Sequence, residues 1–257
     1  MNIISVNGIK LAYTRRGRGT PLILVHGFPL DHTSWNEVAP LLEDRFDVII
    51  PDLRGFGQST TIESPYSISD MADDIAGLLD GLEIYKAAIA GHSMGGYVAL
   101  AFLKNHPKRV SGLGLISSQA AADSPERKDG RYKTATDVDE KGVGVVAEAM
   151  TTKLSADARV QEFVRRSINE QGKSAVIGAL KAMAERDDMM SHLAALNADF
   201  PVALIHGDAD VLIPVERSRV IKSILPSAKL FELPGAGHMP MMEFAEATIE
   251  GLMSLTQ

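Results

Sequence analysis

The chain contains no cysteine. That excludes disulfides, thiolate nucleophiles and cysteine-ligated zinc. An HExxH pattern and an HxH pair are also missing, which argues against a histidine zinc site. No run approaches the roughly 18 apolar residues that a membrane-spanning helix needs. No block of like charge occurs, and the formal net charge is −7. Nothing electrostatic therefore favours nucleic acid or an anionic membrane as partner. The opening "MNIISVNGIKLAY" has no basic flank followed by an apolar core, so it does not read as a secretion signal. A soluble, cytoplasmic protein is expected. Internal repeats and low-complexity segments are absent too.

The 257 residues that are present suit one α/β domain with room for an insertion. Short apolar runs recur: "PLILV" (21–25), "FDVII" (46–50), "KAAIA" (86–90), "SGLGLI" (111–116), "PVALI" (201–205) and "AKLFEL" (228–233). Most are continuously apolar, as strands buried on both faces are. Helical patterns at 34–42, 68–82, 94–105, 215–224 and 241–255 separate them. Alternation of this kind predicts a mostly parallel sheet covered on both sides. The first two extended runs meet at Asn7-Gly8, a strong hairpin signal, so an antiparallel pair should open the sheet. From 119 to 196 the alternation stops. A charged stretch, "DSPERKDGRYKTATDVDEKG", is followed by helical patterns, with methionines at 150, 183, 189 and 190. The expected organisation is a core of residues 1–118 and 197–257, with 119–196 inserted as a helical cap after the sixth strand.

Ligands of open α/β sheets bind beyond the carboxyl ends of the strands. Four loops at such ends are unusual: "HGFP" (26–29), "GHSMGG" (91–96), "HGDAD" (206–210) and "GAGHMP" (235–240). In the second, Ser93 sits between glycines where a strand turns into a helix. This is the pattern of a nucleophile elbow, in which side chains two positions before and after the serine would collide. Gly96 lets the new helix approach a neighbour closely. A phosphate-binding loop is the plain rival reading of such a turn. The GxxxxGK[ST] and GxGxxG spacings are both absent. A serine hydroxyl needs a base and a group that orients the base. His238 follows the last strand, and Asp210 the strand before it. Asp208 competes with Asp210; one should cap the turn while the other orients the histidine. Asp52, Arg54, His26 and His206 read as framework, and His92 should face away from the serine.

The motifs "HGFPLDHTSW", "PDLRGFGQS", "GHSMGG", "HGDADVLIP" and "PGAGHMPMME", in that order, resemble those of the α/β-hydrolase superfamily. The resemblance is to its branch of small esterases, enol-lactonases and cofactor-free haloperoxidase-like enzymes, and it spans nearly the whole chain. It implies Ser93 as nucleophile, Asp210 as acid and His238 as base. The backbone N–H groups of Phe28 and Met94 become the oxyanion hole, with both residues against the substrate. The loop after residue 116 reads Ser117-Ser118-Gln119 and carries no acid, which again favours Asp210. The implied activity is that of a carboxylesterase acting on a small or medium ester without any cofactor. A lactonase, a C–C bond hydrolase, a perhydrolase favoured by Pro29, and a non-catalytic ligand receptor are the alternatives. A small molecule is the expected partner, and the oligomeric state is left open.

Overall fold

Asn7 and Gly8 take positive φ of 46° and 80°, as a two-residue type I′ hairpin turn requires. They join β1 (Asn2–Val6) to β2 (Ile9–Arg16) in antiparallel register, Val6 facing Ile9. The computed structural model describes residues 1–256. Six further strands follow: β3 (Thr20–Val25), β4 (Phe46–Pro51), β5 (Ala87–His92), β6 (Val110–Ile116), β7 (Val202–Gly207) and β8 (Lys229–Leu233). They form one sheet in the order β1-β2-β4-β3-β5-β6-β7-β8. β2 meets β4 antiparallel, and every pairing from β4 to β8 is parallel. Every residue of β4, β5 and β7 is buried, which accounts for their predominantly apolar sequences. The carboxyl ends of β3, β5, β7 and β8 therefore share one edge, and all four unusual loops leave from it.

Helix α1 (Ile68–Gly81) starts at a capping box in which Ser67 and Asp70 satisfy each other's backbone N–H. α2 (Met94–Asn105) springs directly from β5. Between β6 and β7 lie α3 (Pro125–Lys141), α4 (Gly144–Leu154), α5 (Ala158–Asn169), α6 (Lys173–Ala184) and α7 (Met190–Ala194). α8 (Glu216–Ile224), α9 (Pro240–Glu243) and α10 (Ala245–Met253) complete the order. Among the described residues, no helix is long and apolar enough to cross a membrane.

Three local expectations need correction. Segment 34–42 is not one helix but two short 3-10 turns, His32–Trp35 and Ala39–Leu41. Pro40 has no N–H to donate back into a preceding turn, so a continuous helix cannot run through it. Segment 241–255 is broken at Phe244, whose φ of −137° and ψ of 58° are not helical. The charged stretch 123–142, read as preceding the helical patterns, itself contains the whole of α3. Its amphipathic signal is weak, but Ser124 caps it by accepting the Arg127 N–H, and Pro125 stands where no N–H is needed.

Candidate active site

Ser93 occupies the sharp junction of β5 and α2 with φ 51° and ψ −114°, a left-handed conformation that is costly for a side-chain-bearing residue. The neighbouring glycines explain how the chain permits it. A Cβ on Gly91 would lie 2.0 Å from the Gly95 carbonyl oxygen, and one on Gly95 would lie 2.3 Å from that of Val25. A Cβ on Gly96 would lie 2.2 Å from Ser118 Oγ. The close neighbour of the new helix is thus the loop after β6. The end of β6 and that loop together hold the turn: Ser93 N–H donates to the Ile116 carbonyl at 2.9 Å, and Ser118 Oγ donates to the Ser93 carbonyl at 2.8 Å. Ser117 is also strained, with φ 44°. Nothing in the sequence around Ser117-Ser118 marks either serine as a support of the turn.

His238 and Asp210 meet at the same edge. His238 Nδ1 donates to Asp210 Oδ2 at 2.6 Å, and both side chains are buried. The other oxygen, Oδ1, accepts the N–H groups of Leu212 at 2.9 Å and Ile213 at 3.0 Å. Burial pushes the Asp210 carboxyl up, but the His238 charge and hydrogen bonds from His206, His238 and Ile213 outweigh it. The net effect holds Asp210 well below the usual carboxylate range. Asp208 takes the other role: its Oδ1 accepts the Gly235 N–H at 2.7 Å, tying the acid loop to the histidine loop from an exposed position. Glu243 braces the same loop by accepting the Gly237 N–H at 2.5 Å. Among the described residues the Ser93 hydroxyl has no hydrogen bond to His238; such contacts are often long until substrate is bound.

Phe28 and Met94 are buried, and neither amide N–H donates to another group among the described residues. Phe28 lies within a tight turn closed by the Leu30 N–H on the Gly27 carbonyl at 2.9 Å. Met94 is the first residue of α2, where an N–H has no partner inside the helix.

The remaining polar residues of these loops are spent on structure. His26 Nε2 accepts the Leu53 N–H at 2.9 Å, and His206 Nε2 donates to the Ile213 carbonyl at 2.7 Å. Arg54 grips buried Asp74 through Nε and a terminal nitrogen at 2.7 and 2.8 Å. Asp31, His32 and Asp52 bring three potential metal-ligand atoms within 4.8 Å of one another. Their oxygens are already committed. Asp52 Oδ1 accepts the His32 N–H and ring, Asp52 Oδ2 accepts Gln58 N–H, and Asp31 accepts from Thr33 and Gln171. This cluster anchors the loop after β3 to the one after β4.

A family model described as the α/β hydrolase fold matches residues 20–245. An uncharacterised protein of Mycobacterium tuberculosis is 31% identical over 92% of this chain and 75% of its own length. A thermophilic esterase from Thermogutta terrifontis, solved with malate bound, is 36% identical. It superposes with a TM-score of 0.93 over 98% of this chain and 97% of that one. The enol-lactonase of Burkholderia xenovorans LB400 shares the fold at TM-score 0.90 and 24% identity, covering 99% of both chains. With its family model, its eight-stranded sheet and its elbow in place, this chain belongs to the α/β-hydrolase family.

Proposed function

We propose that the protein is a serine hydrolase of small to medium carboxylic esters. The observation that carries the reading is the buried His238–Asp210 hydrogen bond at the sheet edge where Ser93 stands on its strained turn. Because Nδ1 donates to Asp210, the Nε2 of neutral His238 is left as an acceptor, which is what a general base needs. Ser93 Oγ attacks the ester carbonyl while His238 Nε2 takes its proton. The oxyanion is met by the N–H groups of Phe28 and Met94, each worth about 3–4 kcal/mol of barrier in a comparable site. The imidazolium returns its proton to the leaving alcohol. Water, deprotonated by the same imidazole, then frees the acid and restores Ser93. Every step uses groups of this chain and water.

The 36% identical esterase supports the ester class over other hydrolase chemistry. A lactone is a cyclic ester and would follow the same steps.

The test is turnover of p-nitrophenyl acetate, p-nitrophenyl butyrate and a γ-lactone by the parent and by Ser93→Ala. A parent that turns over at least one of them is expected, with loss of about 10³-fold or more in kcat on removing the hydroxyl. An organophosphate should label Ser93 alone. A parent inert on all three, or label on another residue, refutes the reading; the first result would favour a ligand receptor.

A further inference from the structure

His92, the residue before Ser93, is fully buried and its ring lies against His238, centroids 4.9 Å apart. Its Nε2 is 2.7 Å from the His238 carbonyl oxygen. A carbonyl only accepts, so Nε2 carries the proton and donates. Its Nδ1 is buried without a partner and faces Gly27, where a Cβ would lie 2.5 Å away. The ring is therefore wedged between the turn that presents Phe28 and the loop that presents His238. The opposite backbone group of His238 is also held: its N–H donates at 3.0 Å to the carbonyl of Leu154, the last residue of α4. The main chain of His238 is thus gripped on both sides, by the residue adjoining Ser93 and by the helical segment between β6 and β7.

We propose that His92 is a positioning residue for the reaction. Through its Nε2–H it holds the His238 carbonyl and so fixes where the His238 imidazole stands relative to Ser93. The inference rests on the hydrolase reading, in which His238 is the base. Burial, and after it the neighbouring His238, pushes His92 down to about 3, so it stays a neutral donor throughout the working pH range. A second cation would otherwise stand beside the imidazolium formed during the reaction. An aromatic hydrocarbon ring would fill the same space but leave the His238 carbonyl without its donor. That loop would then be free to settle elsewhere, and small misplacements of a base are expensive in rate.

Three variants separate positioning from packing. In His92→Gln, the amide nitrogen can reach about where Nε2 stood. His92→Phe keeps the ring without a donor, and His92→Asn keeps a donor that is too short. Steady-state kcat and KM for p-nitrophenyl acetate are read per active site, the sites being counted with an organophosphate, alongside melting temperatures. We expect Phe and Asn to lower kcat by about 10- to 100-fold with KM within about threefold. Gln should recover kcat to within about fivefold of the parent. Should the Phe variant not fold, the Asn–Gln pair decides alone. Parent-like kcat in a folded Phe or Asn variant overturns the assignment, as does a Gln variant no better than Asn. A loss confined to the number of titratable sites, or to melting temperature, also overturns it, since packing alone would do that. A parent inactive on every ester fails at the earlier step and refutes the hydrolase reading itself.

Discussion

Replacing Asp210 with asparagine should nearly silence the enzyme, while the same change at Asp208 should hardly be noticed. Asparagine can sit at position 210 in two ways. In the first, its oxygen stays on the Leu212 and Ile213 N–H groups, which bind Oδ1 at 2.9 and 3.0 Å. Its NH₂ then faces His238 Nδ1, where a carboxylate oxygen accepted at 2.6 Å. In the second, the amide flips and points its NH₂ at those two backbone donors. Losing buried hydrogen bonds in that way costs about 1–3 kcal/mol each, at least about 2 in all, so the flipped form is held to a few per cent at roughly 3% or less. The first form dominates, and it makes Nδ1 the acceptor. The proton then resides on Nε2, the atom that must accept it from Ser93. The corresponding change in a serine protease costs about 10⁴ in kcat. That is about 5.5 kcal/mol of barrier, at roughly 1.4 kcal/mol per decade. Asp208 offers only its Oδ1 to the Gly235 N–H from an exposed site, and an amide oxygen accepts equally well. Its variant should keep kcat within about twofold. The assay is kcat on p-nitrophenyl butyrate at pH 8, per titrated site, with a melting curve for each variant. Losses within threefold of each other, or the reverse order, would refute the assignment of Asp210.

Gly96→Ala should lower the melting temperature, because its Cβ would lie 2.2 Å from Ser118 Oγ, at an overpacking cost of about 1–3 kcal/mol. Adding Ser118→Gly should recover part of that loss, and a strictly additive double variant would show the contact to be irrelevant. Arg54→Leu should destabilise by about 3–5 kcal/mol, read by urea unfolding, since it strands buried Asp74 without its guanidinium. The His32–Asp52 pair should make stability pH-dependent. The hydrogen bond to Asp52 raises His32. Asp52 is lowered: burial pushes it up, but the His32 hydrogen bond and the backbone donors prevail. The folded protein therefore holds the His32 proton more tightly than the unfolded chain. That stabilisation is complete below about pH 6.5, the ordinary histidine value, and is lost as pH rises through the raised one. The Asp52 contribution is present above about pH 4 and fades on acidification. The melting-temperature gap between the parent and His32→Gln should therefore narrow above about pH 6.5; a gap that widens contradicts the pairing. Ester turnover should be unchanged by EDTA, and a rate lost to EDTA and restored by zinc would contradict the serine mechanism.

What was legible in the sequence is what short-range geometry governs. The clash that reserves 91 and 95 for glycine involves atoms only a few residues apart or on the adjacent strand. The Asn7-Gly8 turn needs nothing beyond its own positive φ values, and the buried parallel strands announce themselves by predominantly apolar runs. The loops that carry Ser93, Asp210 and His238 follow strands met in chain order along one edge, which is why their common location is legible from the sequence. Helix boundaries were less legible where a proline or one non-helical residue interrupts an apolar pattern, as at Pro40 and Phe244, because periodicity does not register a lost N–H or a single dihedral. The supports around the site were not legible at all. His92 reaches a carbonyl 146 positions away, Gln171 reaches Asp31 across 140, and a carbonyl at the end of α4 receives the His238 N–H. Such bonds depend on which side chain or backbone group fills the gap between two loops. That is settled only when the segment between β6 and β7 packs against the sheet edge, since hydrogen bonds are made by position and a sequence records only the capacity to make them.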